Sequence, residues 1–405
     1  MTEKRIYLPY MCDHAYAMAA AMRHYGLPAQ VMAEPDAESL RIGKALCLGK
    51  ECLPCFTCIG DIVKQSREPG FDAARAVLFM PTTAGPCRFG QYRALLRILL
   101  DEQGLDAIEI MSPTAENSYQ GFGEHPVKLR LLIWRGAVGV DLLQKLRHEH
   151  RPYEVNVGET DALYRACLTE LCEALEAGGA REAVAAMRQA AARFQALSIR
   201  REERRPIIGM VGEIYLRHNP FTNQEIARQV EALGGEVWVA TLMEWFYFTN
   251  LGALNRARAG GKVLEFLKTR ATDGIQERIE REMLAPVAPL LRNAHETPIA
   301  EVVANDAPYY DPDLGTEAAL SIGKAIDFAR MGVSGILNIL PFSCMPGTTV
   351  AGLSADVRRD HDAIPWLDVM YDDQEATNVT TRLEAFMYQA LQYRRRMKMV
   401  HAMGS

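Results

Sequence analysis

The residues with the most chemistry open to them in this 405-residue chain are nine cysteines, and they are unevenly spread. Five lie between Cys12 and Cys58, and four of those crowd the segment LCLGKECLPCFTCIG as Cys47, Cys52, Cys55 and Cys58. Cys52 and Cys55 have the C-x2-C spacing, as do Cys55 and Cys58. Thiolates are soft, charged donors that bind zinc and the iron of iron–sulfur clusters. Four readings of the segment stand side by side. A compact four-cysteine zinc site would need a second, separate C-x2-C pair to close it. A thioredoxin-like redox pair would be Cys52 and Cys55. An iron–sulfur site can recruit remote cysteines from other loops. Buried thiols packed for their volume alone are common, but four in so short a stretch, with Pro54 and Gly49 between them, make a poor core pattern.

Two single cysteines lie far along the chain in turn-rich surroundings. Cys87 sits in TTAGPCRFGQY, where Gly85, Pro86 and Gly90 set a tight turn whose backbone N–H groups can face a cluster sulfide. Arg88, beside it, would favour the Cys87 thiolate and offset cluster charge. Cys344 sits in PFSCMPG, and flanking Phe342, Met345 and prolines predict a dry surrounding. Cys167 and Cys172 fall on an alanine-rich helical stretch and read as packed core thiols.

The elements that must position these residues follow from pattern. Short apolar runs bounded by turn residues, such as ARAVLFM at 74–80 and GILNILP at 335–341, alternate with helical segments of 10–15 residues. That alternation predicts βαβ units and parallel sheets, an α/β fold. Strands are expected at 5–12, 29–33, 74–80, 106–111, 207–211, 236–241, 335–341 and 364–371. Helices are expected at 15–25, after Pro54, at 92–102, 223–233, 318–330 and 381–395. Residues 127–204 are rich in Leu, Ala, Glu and Arg and poor in strand signals. The chain therefore divides into an N-terminal α/β lobe carrying the cysteine cluster at 1–126, a helical linker or insert at 127–205, and a C-terminal α/β lobe at 206–405. Ligands of open parallel sheets bind beyond the carboxyl ends of strands, and Cys12, Cys87 and Cys344 are expected at such ends.

Further candidates are single residues near these ends. His14 follows Cys12 and could donate to a sulfide or supply a proton. Glu51 directly precedes Cys52. Glu213, Tyr215, His218 and Asn219 follow the first strand of the second half. Glu244, Trp245 and Tyr247 follow the next and either roof a cavity or pack in the core. Asp372 and Asp373 are adjacent on a strand end and point apart, so they are not a paired acid and base.

Several segments resemble the 2-hydroxyacyl-CoA dehydratase / benzoyl-CoA reductase superfamily, and more closely its activase-related branch. They are KECLPC around Cys52, MPTTAGPCRFGQY around Cys87, NILPFSCMPG around Cys344, GEIYLRHNPFTNQEIARQVEALGGEV at 212–237 and TRLEAF at 381–386. The resemblance implies two Rossmann-like lobes with a [4Fe–4S] cluster between them, held by Cys52, Cys87 and Cys344. Some relatives instead hold an [8Fe–9S] double-cubane cluster on six cysteines. Cys12, Cys47, Cys55 and Cys58 are the spare thiols that such a cluster would draw on. The implied reaction takes a low-potential electron from an ATP-dependent activase and reduces, or reductively dehydrates, a small or acyl-CoA-type substrate. His14, Glu213 and His218 are its candidate catalytic residues, and Arg88, Gly85 and Glu51 its candidate cofactor contacts. A non-catalytic electron carrier, or a zinc or thiol binding protein, is the alternative. Relatives form dimers, so a homo- or hetero-oligomer is expected.

The chain has no GxxxxGK[ST] loop and no GxGxxG fingerprint, so the ATP-dependent activase would be a separate partner. The basic, glycine-rich segment GALNRARAGGK at 252–262 reads as a surface loop and helix cap. A net charge of −6 from 45 basic and 51 acidic residues is a poor footprint for nucleic acid. The start MTEKRIYLPYMCDHAY lacks the apolar core of a signal peptide, and no apolar run is long enough to span a membrane. A cytoplasmic location is expected, where clustered cysteines are metal-binding or redox-active more often than structural disulfides.

Overall fold

The computed structural model describes residues 4–83, 87–114, 121–200, 204–311, 314–372 and 378–404. Among them are two four-stranded, wholly parallel sheets flanked by helices. The first is built from β1 (Arg5–Leu8), β2 (Ala29–Val31), β3 (Ala76–Phe79) and β4 (Glu109–Met111), in the order β2-β1-β3-β4. Ile6 lies opposite both Ala29 and Val77, and Val77 lies opposite Glu109. The second contains β5 (Ile207–Gly212), β6 (Glu236–Val239), β7 (Gly335–Pro341) and β8 (Trp366–Tyr371), in the order β6-β5-β7-β8. All seven residues of β7 are buried, which explains its unbroken apolar run: a parallel strand covered on both faces has no polar side to alternate with.

Both sheets share one winding. The chain steps from the first strand to a neighbour on one side, then crosses back to the other. The crevice at which the direction reverses lies at the carboxyl ends of β1 and β3 in one sheet, and of β5 and β7 in the other.

The chain divides into two compact units. The first holds Met1–Val140, Leu168–Met187 and Asp372–Gln374; the second holds Asp141–Cys167, Arg188–Tyr371 and Glu375–Ser405. The helices in chain order are α1 (His14–His24), α2 (Ala37–Leu46), α3 (Leu53–Ser66), α4 (Tyr92–Glu102), α5 (Pro126–His150), α6 (Glu159–Gly178), α7 (Ala180–Gln195), α8 (Ile214–His218), α9 (Ile226–Ala232), α10 (Met243–Ala259), α11 (Val263–Leu284), α12 (Ile299–Asp306), α13 (Glu317–Arg330), α14 (Met345–Asp360) and α15 (Val379–Gly404). The stretch expected to be a helical insert is α5, α6 and α7, and each of these helices contributes residues to both units.

The strands are shorter than their apolar runs. Pro9 follows β1 and cannot donate to the ladder. Ahead of β3, Asp72 accepts from the N–H of Ala74 at 3.0 Å and holds Ala73–Arg75 in a 3-10 turn. Helix α2 was not expected from sequence. Its signal was present: Asp36 accepts from the Ser39 N–H at 2.9 Å as an N-cap, with Glu38 in the first turn.

In the first unit, α2 and α3 cross at backbone contact. A Cβ on Gly43 would stand 1.9 Å from the Phe56 carbonyl oxygen, and one on Gly60 would stand 1.7 Å from that of Ser39. In the same unit, a Cβ on Gly136 of α5 would stand 2.9 Å from the Ala17 Cβ of α1 and 3.1 Å from the Leu175 Cδ1 of α6. In the second unit the core gathers Val211, Trp238, Phe328 and Ile336, with Phe328 of α13 lying over Gly209 of β5. None of the helices among the described residues is long and apolar enough to cross a membrane.

Candidate functional site

In the first unit the thiols gather where α2 ends and α3 begins. Cys47 is the C-cap of α2 and Cys52 the N-cap of α3, with Pro54 in the first turn where its missing N–H is harmless. Cys55 and Cys58 follow on α3 and are buried, whereas Cys47 and Cys52 are half-buried. The Cys47 side chain first, then burial, then the neighbouring Cys52 and Cys58 push the Cys55 thiol well above its ordinary range. The glycine-to-backbone crossing of α2 and α3 is what lets the end of one helix reach the first turn of the other.

Tyr92 closes this corner from α4. Its hydroxyl lies 2.7 Å from the Cys52 Sγ, and the ring is buried. Burial, and then the nearby Cys52 and Cys55, push the Tyr92 phenol far up, so it stays protonated, and either group of this pair can be the donor. Cys87 leads into the 3-10 turn Arg88–Gln91 that starts α4 and is half-buried. The Arg88 guanidinium donates to the Lys50 carbonyl at 2.7 Å, tying the Cys87 segment to the loop before Cys52. Glu51 accepts from the Lys50 N–H at 3.0 Å. Gly85 lies outside the described residues, as does Asp373.

Cys12 is half-buried in the loop after β1, and His14 is buried as the first residue of α1. Between them Asp13 accepts from the Tyr10 hydroxyl at 2.7 Å. Cys12 and Cys87 thus both follow the strands that flank the crevice of the first sheet. Cys167 is buried, in keeping with a core thiol; Cys172 is only half-buried by exposure, and desolvation pushes its thiol up to about 12.

In the second unit the corresponding crevice is flanked by the segments after β5 and β7. Cys344 is the half-buried N-cap of α14, and its carbonyl accepts from the Thr348 N–H and hydroxyl. The dry surrounding expected for it is not formed by its neighbours in sequence: Phe342 is 62% exposed and Met345 47%. Ser343, at φ 59°, turns the chain so sharply that both side chains swing outward. Gly212 ends β5 at φ 114°, a conformation costly for any residue with a Cβ, and turns the chain into α8. Glu213 then caps α8, accepting from the N–H groups of Tyr215 and Leu216 at 3.1 and 2.9 Å.

Glu317, which sequence reasoning missed, belongs to this place. Burial first, and then the Glu213 carboxylate, push it up to about 8, and its carboxylate accepts from the Ile214 N–H. Burial raises Glu213 too. Arg217, buried on α8, faces both along with Glu244 and Asp141. His218 is buried and pairs through Nδ1 with Gln144 Oε1 at 3.1 Å, beside a small cavity that also meets Thr241 and Asn293. Glu244 lies on α10, where it pairs with Lys324 rather than standing alone after a strand.

Protein-family models and curated proteins were compared with the chain. Neither comparison gives a match. The chemistry of the site therefore rests on its donors. Among the described residues no three His, Cys, Asp or Glu side chains enclose a point as the ligands of a single metal ion do. An iron–sulfur cluster makes a different demand, because its ligand sulfurs stand apart with the cluster between them. Cys52, with a protonated phenol on its sulfur, and Cys87, tied to the same loop through Arg88, suit such a group.

Proposed function

We propose that the chain is an iron–sulfur protein with two Rossmann-like lobes, which takes low-potential electrons from a separate ATP-dependent activase and reduces, or reductively dehydrates, a small or acyl-CoA-type substrate. The observation that carries this reading is the thiol corner: Cys52 under the Tyr92 hydroxyl, joined through Lys50 and Arg88 to the segment of Cys87. The resemblance of the segments around Cys52, Cys87 and Cys344 supports it, as does the position of Cys87 and Cys344 after the third strand of each sheet's winding. In this reading Cys52, Cys87 and Cys344 hold the cluster. Bound there, it would supply one-electron transfer at low potential. Tyr92 keeps its proton and steadies the Cys52 sulfur, Arg88 fixes the loop between them, and Glu213 and Glu317 offer exchangeable protons in the second unit. A cytoplasmic location and assembly into an oligomer belong to the same reading.

Purification without oxygen tests it. The expected product is brown, with about four irons and matching acid-labile sulfide per chain for one cubane, or about eight for a double cubane. Cys87→Ala and Cys344→Ala should each lose cluster iron. A colourless, iron-free protein, or full iron retention in both variants, would overturn the assignment.

A further inference from the structure

In the second unit α11 packs on α10 and turns a polar side inward. Asp273 and Gln276 are buried there, and the Asn250 amide of α10 donates to them at 2.8 and 2.7 Å. Farther along, Glu280 accepts from the Tyr247 hydroxyl at 2.6 Å. The outward side of α11 is apolar. Leu264 is 66% exposed, Leu267 57% and Ile275 45%, and Ala271 and Gly274 among them are exposed as well. A Cβ on Gly274 would meet nothing within 4 Å. Steps of three and four residues put Leu264, Leu267, Ala271 and Ile275 on one stripe of the helix. A helix that ends its packing at α10 and faces water carries the opposite pattern, polar outside and apolar inside. An apolar stripe of this length with charged flanks is the pattern of a surface that is covered.

Two features of α11 name what covers it. The stripe is symmetric about Ala271, with Leu267 four residues before it and Ile275 four residues after. The charge is antisymmetric. From Lys262 to Arg270, Lys262, Lys268 and Arg270 stand against Glu265, a net of +2. From Ala271 to Leu284, Arg278 and Arg281 stand against Asp273, Glu277, Glu280 and Glu282, a net of −2. We propose that α11 packs antiparallel on α11 of a second copy of this chain, about a two-fold axis at Ala271. That arrangement lays Leu267 of each copy over Ile275 of the other, and sets the basic half of each helix against the acidic half of its partner. A parallel pairing would set like halves together, and a flat anionic surface would meet the acidic half along with the basic one. Small residues at the crossing, Ala271 and Gly274, let the two helices come close. The proposed function expects an oligomer, and the inference rests on that reading only in this respect, since the pairing itself needs no cluster.

The test is analytical ultracentrifugation of the whole chain, purified without oxygen, over a dilution series, with iron counted on the same samples. The expected species is a dimer of twice the chain mass. Leu267→Asp and Ile275→Lys change exposed positions, so each should leave the far-UV circular dichroism unchanged while raising the dimer Kd about a hundredfold or more. The double variant carrying both changes should dimerise more tightly than either single variant, because each new carboxylate meets the new ammonium of the other copy. Within one chain the two positions lie about 12 Å apart along the helix and do not meet. A monomer at every concentration, a dimer unmoved by both single variants, or a double variant no tighter than the single ones would each overturn the proposal. Iron separates this from the cluster reading. An iron-free dimer that the single variants dissociate supports the α11 pairing and sinks the cluster, whereas a brown monomer does the reverse.

Discussion

The thiol corner of the first unit and the ion cluster around Lys324 in the second both bury polar atoms deeply, and they do it with opposite materials. In the first, the contacts are thiol to thiol and phenol to thiol, neutral and polarisable. In the second, the Lys324 ammonium is 2% exposed and lies 2.7 Å from Glu244, 2.6 Å from Glu296 and 3.1 Å from Asp327. Burial alone would strip the lysine of its proton, but the three carboxylates outweigh it and hold the ammonium charged. Lys145 adds a second cation to Glu296. The difference teaches where each unit can tolerate change. Removing one member of a neutral contact leaves a small polar atom to be rehydrated. Removing Lys324 from its ring of carboxylates takes the nearest cation from Glu244 and Asp327, while Glu296 keeps Lys145.

The largest effect that could break this comparison is Lys324→Met. It should cost about 3–5 kcal/mol, the range for uncovering a buried charge, and show as a fall in the urea midpoint of the second unit. A change below about 1 kcal/mol would mean that the ring is wet and its charges already screened.

A middle case is Asp306, buried at the end of α12, whose carboxylate has no hydrogen-bond donor among the described residues. Burial pushes it from its ordinary 3.8 up to about 7. A carboxyl raised on folding contributes its full stability while protonated in both states, and loses it as pH climbs from about 4 to about 7. Asp306→Asn should therefore match or fall below wild type at pH 4 and gain on it steadily up to pH 7, with no further change above. Equal differences between the two proteins at pH 4.5 and pH 8 in urea titrations would sink this assignment.

The smallest expected effect is at the thiol corner. Tyr92→Phe removes one hydroxyl from the Cys52 sulfur and should cost about 1 kcal/mol. A loss as large as that of Lys324→Met would show that the corner is held by charge after all.

Much of the frame was legible in the chain, for definable reasons. Short apolar runs alternating with helices marked the eight strands of the described residues, most plainly β3 and β7, which are buried along their whole length and have no polar face to disguise them. The lengths were less legible, since the end of a ladder depends on backbone partners such as the turn held by Asp72. The cysteine segment announced itself by spacing. The crossing of α2 and α3 did not, because α2 depends on a cap at Asp36, and the role of Gly43 and Gly60 emerges only when the helices meet. Glu317 was hidden for a similar reason. In sequence it is an ordinary first-turn acid of α13, and only the fold brings Glu213 to it from about a hundred residues away. Lys324 left a fainter clue, a lysine and Asp327 three residues on in the otherwise apolar stretch ALSIGKAIDF, which marks a cation that must find buried partners.

The division of the chain into units has a consequence for its synthesis. The first unit includes Leu168–Met187, so its packing is incomplete until those residues have left the ribosome, although all four strands of its sheet have emerged long before. Until then the side of α1 at Ala17 and of α5 at Gly136 lacks the Leu175 that covers it. The first half of the protein thus waits on a helix made after part of the second half has begun. A chain stopped near residue 150 would carry a complete sheet with an uncovered flank, the kind of nascent surface that chaperones bind.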